Sequence, residues 1–86
     1  MYKVFWLRKA EKDLDDIDKS TALKIFNKIE NYLSINPKEL GKKLNAEYKG
    51  LYRYRYGDYR IVYELNDDQL IILIVKVGHR REVYKF

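Results

Sequence analysis

Residues 51–63, LYRYRYGDYRIVY, alternate between two kinds of side chain on either side of a Gly57-Asp58 pair. Alternation with a period of two is typical of a β-strand with two different faces, and a Gly-Asp pair between two such runs predicts a tight hairpin turn. Pairing across this turn places the two kinds of side chain on opposite faces of the sheet. One face carries Tyr52, Tyr54, Tyr56, Tyr59, Ile61, Tyr63 and Leu65. The other face carries Arg53, Arg55, Arg60 and Val62.

The first half of the chain predicts one strand and two helices. Residues 2–7 alternate and are rich in β-favouring side chains, which predicts a first strand. Apolar residues at helical spacing predict a short amphipathic helix over residues 9–18. A wider apolar stripe predicts a second helix that begins at Ser20, its expected N-cap, and is stopped by Asn36-Pro37. Helices separated by so few residues predict an antiparallel helical hairpin with one shared apolar face.

The second half of the chain predicts a loop, the β-hairpin and a buried strand. Residues 38–50 show no sustained period, so we expect a loop with one helical turn near residues 40–44. The apolar run within residues 69–77 is typical of a central strand covered on both sides, and we expect Gly78 to end it. We expect residues 79–86 either to continue as an edge strand or to fold back over the sheet.

Together these elements predict an α+β fold of order βααβββ. An antiparallel sheet carries the N-terminal helical hairpin on one face and leaves the arginine face open. On this open face we expect the side chains of Arg60 and Arg80 to be exposed rather than part of the core.

Composition limits the class of protein. The chain has 86 residues, of which 47% are hydrophobic, and this content is typical of a globular protein rather than a disordered tail. A chain of this length buries a single modest core, so we expect residues 1–86 to form one domain. The absence of cysteine excludes disulfide frameworks and thiolate zinc sites. With no signal-peptide pattern and no apolar run of membrane-spanning length, the sequence predicts a cytoplasmic protein.

The net charge of +5 is unevenly distributed along the chain. Residues 51–63 and 76–86 are basic, whereas the segment between them is acidic. The predicted pairing also sets Arg55 directly opposite Arg60, and like charges in such a pair destabilise a sheet by up to about 1 kcal/mol. A face that retains this repulsion is best explained by an anionic ligand, and a nucleic-acid backbone is the simplest polyanion to propose.

Three segments in order, 51–55 (LYRYR), 57–63 (GDYRIVY) and 77–84 (VGHRREVY), resemble the RelE/ParE superfamily of bacterial and archaeal toxins. The resemblance covers nearly the whole chain, because the two predicted helices, Pro37 and Lys43-Leu44 occupy comparable positions. The ending VGHRREVY is more similar to the RelE branch than to the ParE branch. A RelE-like toxin is implied to be a metal-independent mRNA interferase that enters the ribosomal A site, cuts the mRNA and inhibits translation. It is also implied to form a hetero-oligomer with a cognate RelB-like antitoxin.

The resemblance implies a role for each matching residue. Arg53 and Arg55 match basic residues that bind the RNA backbone and assist at the scissile phosphate, and Arg60 matches the arginine that stabilises that phosphate. Arg80 matches an arginine near the leaving group, and Tyr84 matches an aromatic residue that stacks on a base or transfers a proton. Further RNA contacts are expected from Arg81 and Lys49.

The identity of the general base stays open on sequence alone. Some relatives have lysine where Arg53 and Arg55 stand, and lysine loses a proton more readily than arginine. His79 is the only histidine and is of the side-chain type suited to proton transfer, although polar residues are also common at strand ends. Glu47 and Glu82 are expected to pair with arginines rather than act as bases. The acidic turn at residues 67–68 has no partner cluster, so we expect no metal site and no cofactor.

Two other functions fit the same residues. A ParE-like toxin that inhibits DNA gyrase would share the fold and use the arginines as a protein-binding surface. A non-catalytic RNA-binding module would use them for phosphate binding without turnover.

Overall fold

The computed structural model describes residues 1–44 and 50–83. Within these ranges the strands are β1 (Lys3–Trp6), β2 (Lys42–Lys43), β3 (Leu51–Tyr56), β4 (Tyr59–Asn66) and β5 (Ile71–His79). The helices are α1 (Arg8–Asp15), α2 (Lys19–Lys28), α3 (Pro37–Leu40) and α4 (Arg80–Val83), and α2 passes into a π-helical segment, Ile29–Leu33. None of these helices is long and apolar enough to cross a bilayer.

All five strands of the described residues form one sheet in the order β1-β5-β4-β3-β2. The predicted hairpin register is confirmed, since Tyr54 pairs with Ile61 and Arg55 pairs with Arg60. Gly57 has a φ of 58°, a left-handed conformation that glycine adopts without steric cost and that a two-residue turn requires.

The α+β fold class is confirmed, with one correction to the sheet. We expected an antiparallel sheet, but β1 pairs with β5 in parallel. Adjacent strands joined by a tight turn must run antiparallel, and this rule fixes β3 against β4. β1 and β5 are far apart in sequence and joined through all the other elements, so no turn dictates their relative direction.

The helical hairpin covers the tyrosine face of the sheet, as predicted. The opposite face, which we expected to be open, is covered along β4, where Arg60 is 6% exposed and Val62 is 1% exposed, and is open at Lys42 and Arg55. The core formed between them consists of Ala10, Ile25, Ile29 and Leu33 from the helical segments and Tyr54, Ile61, Tyr63, Ile72, Ile74 and Val77 from the strands. The β5 burial pattern alternates rather than showing cover on both sides. The prediction of a fully covered strand was therefore wrong, because several apolar side chains of β5 lie on the open face.

Helix boundaries differ from those predicted for reasons of local hydrogen bonding. Asp18, rather than Ser20, is the N-cap of α2, because its carboxylate accepts a hydrogen bond of 3.1 Å from the Thr21 N–H. The turn expected near residues 40–44 lies earlier, in α3, where Pro37 occupies a first-turn position that needs no N–H donor. Gly78 does not end β5 but lies inside it, opposite Arg60. Residues 80–83 form α4 against β5 and β4 instead of an edge strand.

Tyr63 joins the sheet to α3. Its buried hydroxyl donates a 2.6 Å hydrogen bond to the Pro37 carbonyl. A Cβ added at Gly41 would overlap this hydroxyl, so the chain can pass so close to the ring only because Gly41 has no side chain. Burial is the main cause that raises the pKa of Tyr63 above its ordinary value, with smaller contributions from Tyr52 and Tyr54.

We predict that Tyr63→Phe lowers the free energy of unfolding by about 1 kcal/mol at pH 7, the usual contribution of one internal hydrogen bond. Because the folded pKa of Tyr63 is raised, its stabilisation is complete below pH ~10 and is lost as the unfolded chain ionises above that pH. The variant should therefore lose less stability than the wild type above pH 10. Urea unfolding across pH 7 to 11 measures both effects, and parallel pH profiles for the two proteins would contradict this description of Tyr63.

Candidate nucleic-acid interface

On the sheet face opposite the helical hairpin, most of the basic residues lie in two adjacent rows that run across the strands. We call each row of paired residues a rank. In the rank next to the hairpin turn, Arg55 pairs with Arg60, and Arg60 pairs with Gly78. The second rank runs Lys42, Arg53, Val62, Lys76 across β2, β3, β4 and β5. We call the five cations Lys42, Arg53, Arg55, Arg60 and Lys76 the basic face.

The two arginines of the first rank differ in exposure. Arg55 is exposed, as predicted, but Arg60 is only 6% exposed. The Arg60 Nη1 donates hydrogen bonds of 3.1 Å to the carbonyls of Gly57 and Tyr59. Its Nε is buried without a hydrogen-bond partner. The expectation that Arg60 is exposed was therefore wrong, because the turn carbonyls hold its guanidinium against the backbone.

Arg80 begins α4 beside the same turn. Its backbone N–H donates a 2.8 Å hydrogen bond to the Asp58 carbonyl, and its side chain is exposed as predicted. The carbonyls of Gly57, Asp58 and Tyr59 are thus occupied by Arg60 and Arg80 together. The hairpin turn brings these two candidate residues to one end of the sheet.

His79 is not grouped with the arginines. It pairs with Tyr59, whose side chain points toward the helical hairpin, and the two rings meet edge to face with centroids 5.9 Å apart. The imidazole lines a cleft of about 420 Å³ with three carboxylates at the α1–α2 junction, those of Asp13, Asp16 and Asp18. Among the described residues no three His, Asp or Glu side chains are placed to hold a metal ion.

Of the remaining predicted site residues, the structure describes only some. Arg81 is exposed in α4, and its N–H lies 3.4 Å from the His79 Nδ1. The predictions for Lys49, Glu47 and Tyr84 fall outside the described residues, as does the side chain of Glu82.

Sequence reasoning missed Lys42 and Lys76. Lys42 lies in a segment that we expected to be a loop, and only its pairing with Arg53 puts it on the basic face. Lys76 follows an unbroken apolar run, and a β-bulge within that run changes which side chains point to each face of the sheet. Counting residues along the sequence therefore could not place Lys76 on the basic face. No simple sequence signal distinguishes either lysine from the others.

A sequence model of the ParE toxin family of type II toxin-antitoxin systems matches residues 4–84. The chain belongs to this toxin family. The toxin RelG of Mycobacterium tuberculosis is 29% identical over 84 residues, which cover 98% of this chain and 97% of RelG. The toxin RelE of the same organism is 31% identical over 84 residues, which cover 98% of this chain and 87% of RelE. The resemblance to the RelE/ParE superfamily is confirmed, and the chain is a toxin of the type II class.

A solved structure has the same fold. A chain of the toxin-antitoxin complex RelBE2 from Mycobacterium tuberculosis superimposes with a TM-score of 0.88 at 29% identity, covering 92% of this chain and 98% of that one. This match confirms the α+β fold of the toxin.

We predict that Arg60→Ala and Arg55→Ala affect the stability of the toxin differently. Arg60→Ala removes charged hydrogen bonds to two turn carbonyls, each contributing about 1.5–3 kcal/mol, and relieves a repulsion of up to about 1 kcal/mol. We expect a net loss of about 2–5 kcal/mol, against a change within about 0.5 kcal/mol for the exposed Arg55. Denaturant unfolding of both variants measures the difference. Equal stabilities would show that the turn does not depend on the Arg60 guanidinium.

Proposed function

We propose that this toxin is a ribosome-dependent endoribonuclease that cuts mRNA in the ribosomal A site and so inhibits translation. The observation that carries the proposal is the register of the β-hairpin, which sets Arg55 opposite Arg60 on the open face, beside the start of α4. Neither arginine forms an ion pair with a carboxylate among the described residues. Unneutralised guanidinium groups held together are suited to a polyanion, and their planar geometry matches a phosphate.

The reaction that fits such a face needs no metal ion. The 2′-hydroxyl of the nucleotide before the cut loses its proton to a base and attacks the adjacent phosphorus. As the new bond from the 2′-oxygen to phosphorus forms, the bond from phosphorus to the 5′-oxygen breaks, and the leaving oxygen takes up a proton. The products are a 2′,3′-cyclic phosphate and a 5′-hydroxyl.

In this proposal Arg53 and Arg55 bind the RNA backbone, and Arg60 stabilises the charge that develops on the scissile phosphate. In the structure the Arg60 guanidinium is buried, so this role requires the side chain to turn outward from the carbonyls of the hairpin turn when RNA binds. A phosphate oxygen carries more negative charge than a turn carbonyl, so an incoming phosphate competes for the guanidinium and offers its unpaired Nε a partner.

Other roles are proposed from the resemblance. Arg80 is assigned to the leaving group, which is supported by its exposed side chain and its attachment to the hairpin turn. Arg81 and Lys49 are assigned to the RNA backbone and Tyr84 to base stacking or proton transfer. Since His79 lies on the opposite side of the sheet from Arg55 and Arg60, we do not assign it a direct proton transfer.

We infer dependence on the ribosome because the basic face has few side chains that can transfer protons near neutral pH. Arginine does not readily exchange a proton near neutral pH, and an efficient ribonuclease in free solution normally uses two groups of suitable pKa. Positioning alone contributes up to roughly 7–11 kcal/mol to lowering a barrier. We infer that the ribosome supplies this contribution by holding the mRNA in line for attack. A toxin that acts on ribosomes works in the cytoplasm.

The proposed partner is a cognate RelB-like antitoxin. The structural match to a chain of the RelBE2 toxin-antitoxin complex supports a hetero-oligomer. An acidic or amphipathic segment of the antitoxin that covers Arg53, Arg55 and Arg60 would neutralise their charge and exclude RNA.

A gyrase inhibitor is the second candidate, because the matching family model is that of ParE toxins. On this alternative, the arginines of the open face would contact a protein and no RNA would be cut. The similarity to RelG and RelE over nearly the whole chain favours the ribonuclease.

The test compares three substrates of the purified toxin: translating ribosomes, naked mRNA, and gyrase with supercoiled DNA. We expect cuts in the A-site codon with translating ribosomes only, with new 5′-hydroxyl ends, and loss of these cuts when the antitoxin encoded beside the toxin is added. Arg80→Ala, whose side chain is exposed, should lose cleavage without losing stability. Cleaved gyrase complexes would instead support the ParE-like function, and RNA binding without any cut would leave only a binding module.

A further inference from the structure

A β-bulge in β5 determines which residue reaches the basic face at that strand. β4 and β5 pair in one register at Val62 and Lys76 and in a shifted register at Tyr63 and Ile74. Val75 is therefore an extra residue on β5. Bulges of this kind bend a strand and change the direction of the side chains that follow, and they are common next to functional sites.

The bulge exchanges the faces of two side chains. In an uninterrupted strand Lys76 would lie on the same side as Ile74, which is fully buried against the helices. With the bulge, Val77 takes the core position and is 2% exposed, while Lys76 joins the rank that contains Arg53. Without the bulge the Lys76 ammonium group would be directed into the core, where burying a charge is costly. The bulge therefore keeps Lys76 out of the core and places it on the open face.

Lys42 extends the same rank at the opposite edge of the sheet. It is exposed and pairs with Arg53 at the start of the short strand β2. Three strand spacings separate Lys42 from Lys76, a distance of about 14 Å. Side chains that stand perpendicular to the sheet hold their ammonium groups about this far apart, a spacing that suits separate phosphates of one chain better than a single phosphate group.

The next rank limits where such a polyanion can lie. It consists of Leu51, Glu64, Leu73 and Phe5, with no cation and an exposed carboxylate. The exposed Glu64 carboxylate disfavours a phosphate beside this rank, so we expect the phosphates to lie over the two ranks nearest the hairpin turn. A chain of phosphates that follows these ranks runs across the strands rather than along them.

We propose that Lys42 and Lys76 bind RNA phosphates on either side of the scissile one, so that the RNA crosses the sheet from β2 to β5. This inference rests on the proposed function, which places the scissile phosphate near Arg55 and Arg60. Neither lysine side chain forms an ion pair with another described residue, which leaves both ammonium groups available to phosphate oxygens.

The test measures binding of a short single-stranded oligouridine RNA across a series of NaCl concentrations. Each phosphate contact contributes about −0.7 to the slope of log affinity against log salt for single strands. The double variant Lys42→Gln/Lys76→Gln should therefore have a slope shallower by about 1.4 than the wild type. The matched control is Lys12→Gln/Lys19→Gln, which removes the same charge from exposed positions on α1 and α2 and should keep the wild-type slope.

Thermal unfolding of both double variants checks that each is folded at the temperature of the measurement. Identical slopes for the two double variants, or no binding of the RNA by the wild type, would overturn the inference. Unchanged RNA slopes combined with weaker antitoxin binding would assign the lysines to the antitoxin instead. Because binding is measured without cleavage, a wild type that binds RNA with the expected lysine dependence but cuts no mRNA on ribosomes would contradict the proposed function alone.

Discussion

The register of the β3–β4 hairpin is the constraint on which the rest of the toxin depends. Side chains alternate between faces with a period of exactly two residues, so a slip of one residue would send the tyrosines to solvent and the arginines into the core. The Gly57-Asp58 turn prevents this slip, because only a two-residue connection with a left-handed Gly57 joins the strands in this register. One local conformation therefore fixes both the core and the basic face.

The same turn connects the basic face to the end of the chain. Arg60 and the first amide of α4 occupy its three successive carbonyls. The Asp58 carbonyl that accepts from the Arg80 N–H lies between the two carbonyls that accept from Arg60, so the turn links Arg60 to the start of α4. In the proposed mechanism, a phosphate that draws the Arg60 guanidinium from the turn also frees two carbonyls, so RNA binding and the conformation of the turn are coupled.

The sequence predicted well those features that depend on neighbouring residues. The alternation of residues 51–63 was enough to derive the hairpin, its faces and the opposition of Arg55 to Arg60. The helical hairpin over the tyrosine face also followed from apolar spacing. Features that depend on distant residues could not be derived: the parallel pairing of β1 with β5 and the pairing of Lys42 with Arg53.

Two features of the site needed side-chain geometry. Exposure of Arg60 was expected because charged side chains favour water, but its burial depends on turn carbonyls that a sequence does not place. The bulge at Val75 lies in a continuous apolar run, where no change of residue type marks the interruption. Both features affect the face proposed to act on RNA.

One face of the sheet packs against the helices to form the core, and we propose that the opposite face receives RNA. The most direct measurement titrates isotopically labelled toxin with a short single-stranded RNA, methylated at its 2′-hydroxyls so that it cannot be cut, and follows the amide resonances. We expect the shifts to concentrate in β3, in the hairpin turn, and at residues 60–62 and 76–80, while α1 and α2 stay unchanged. Shifts concentrated on α1 and α2, with the open face unaffected, would contradict this proposal.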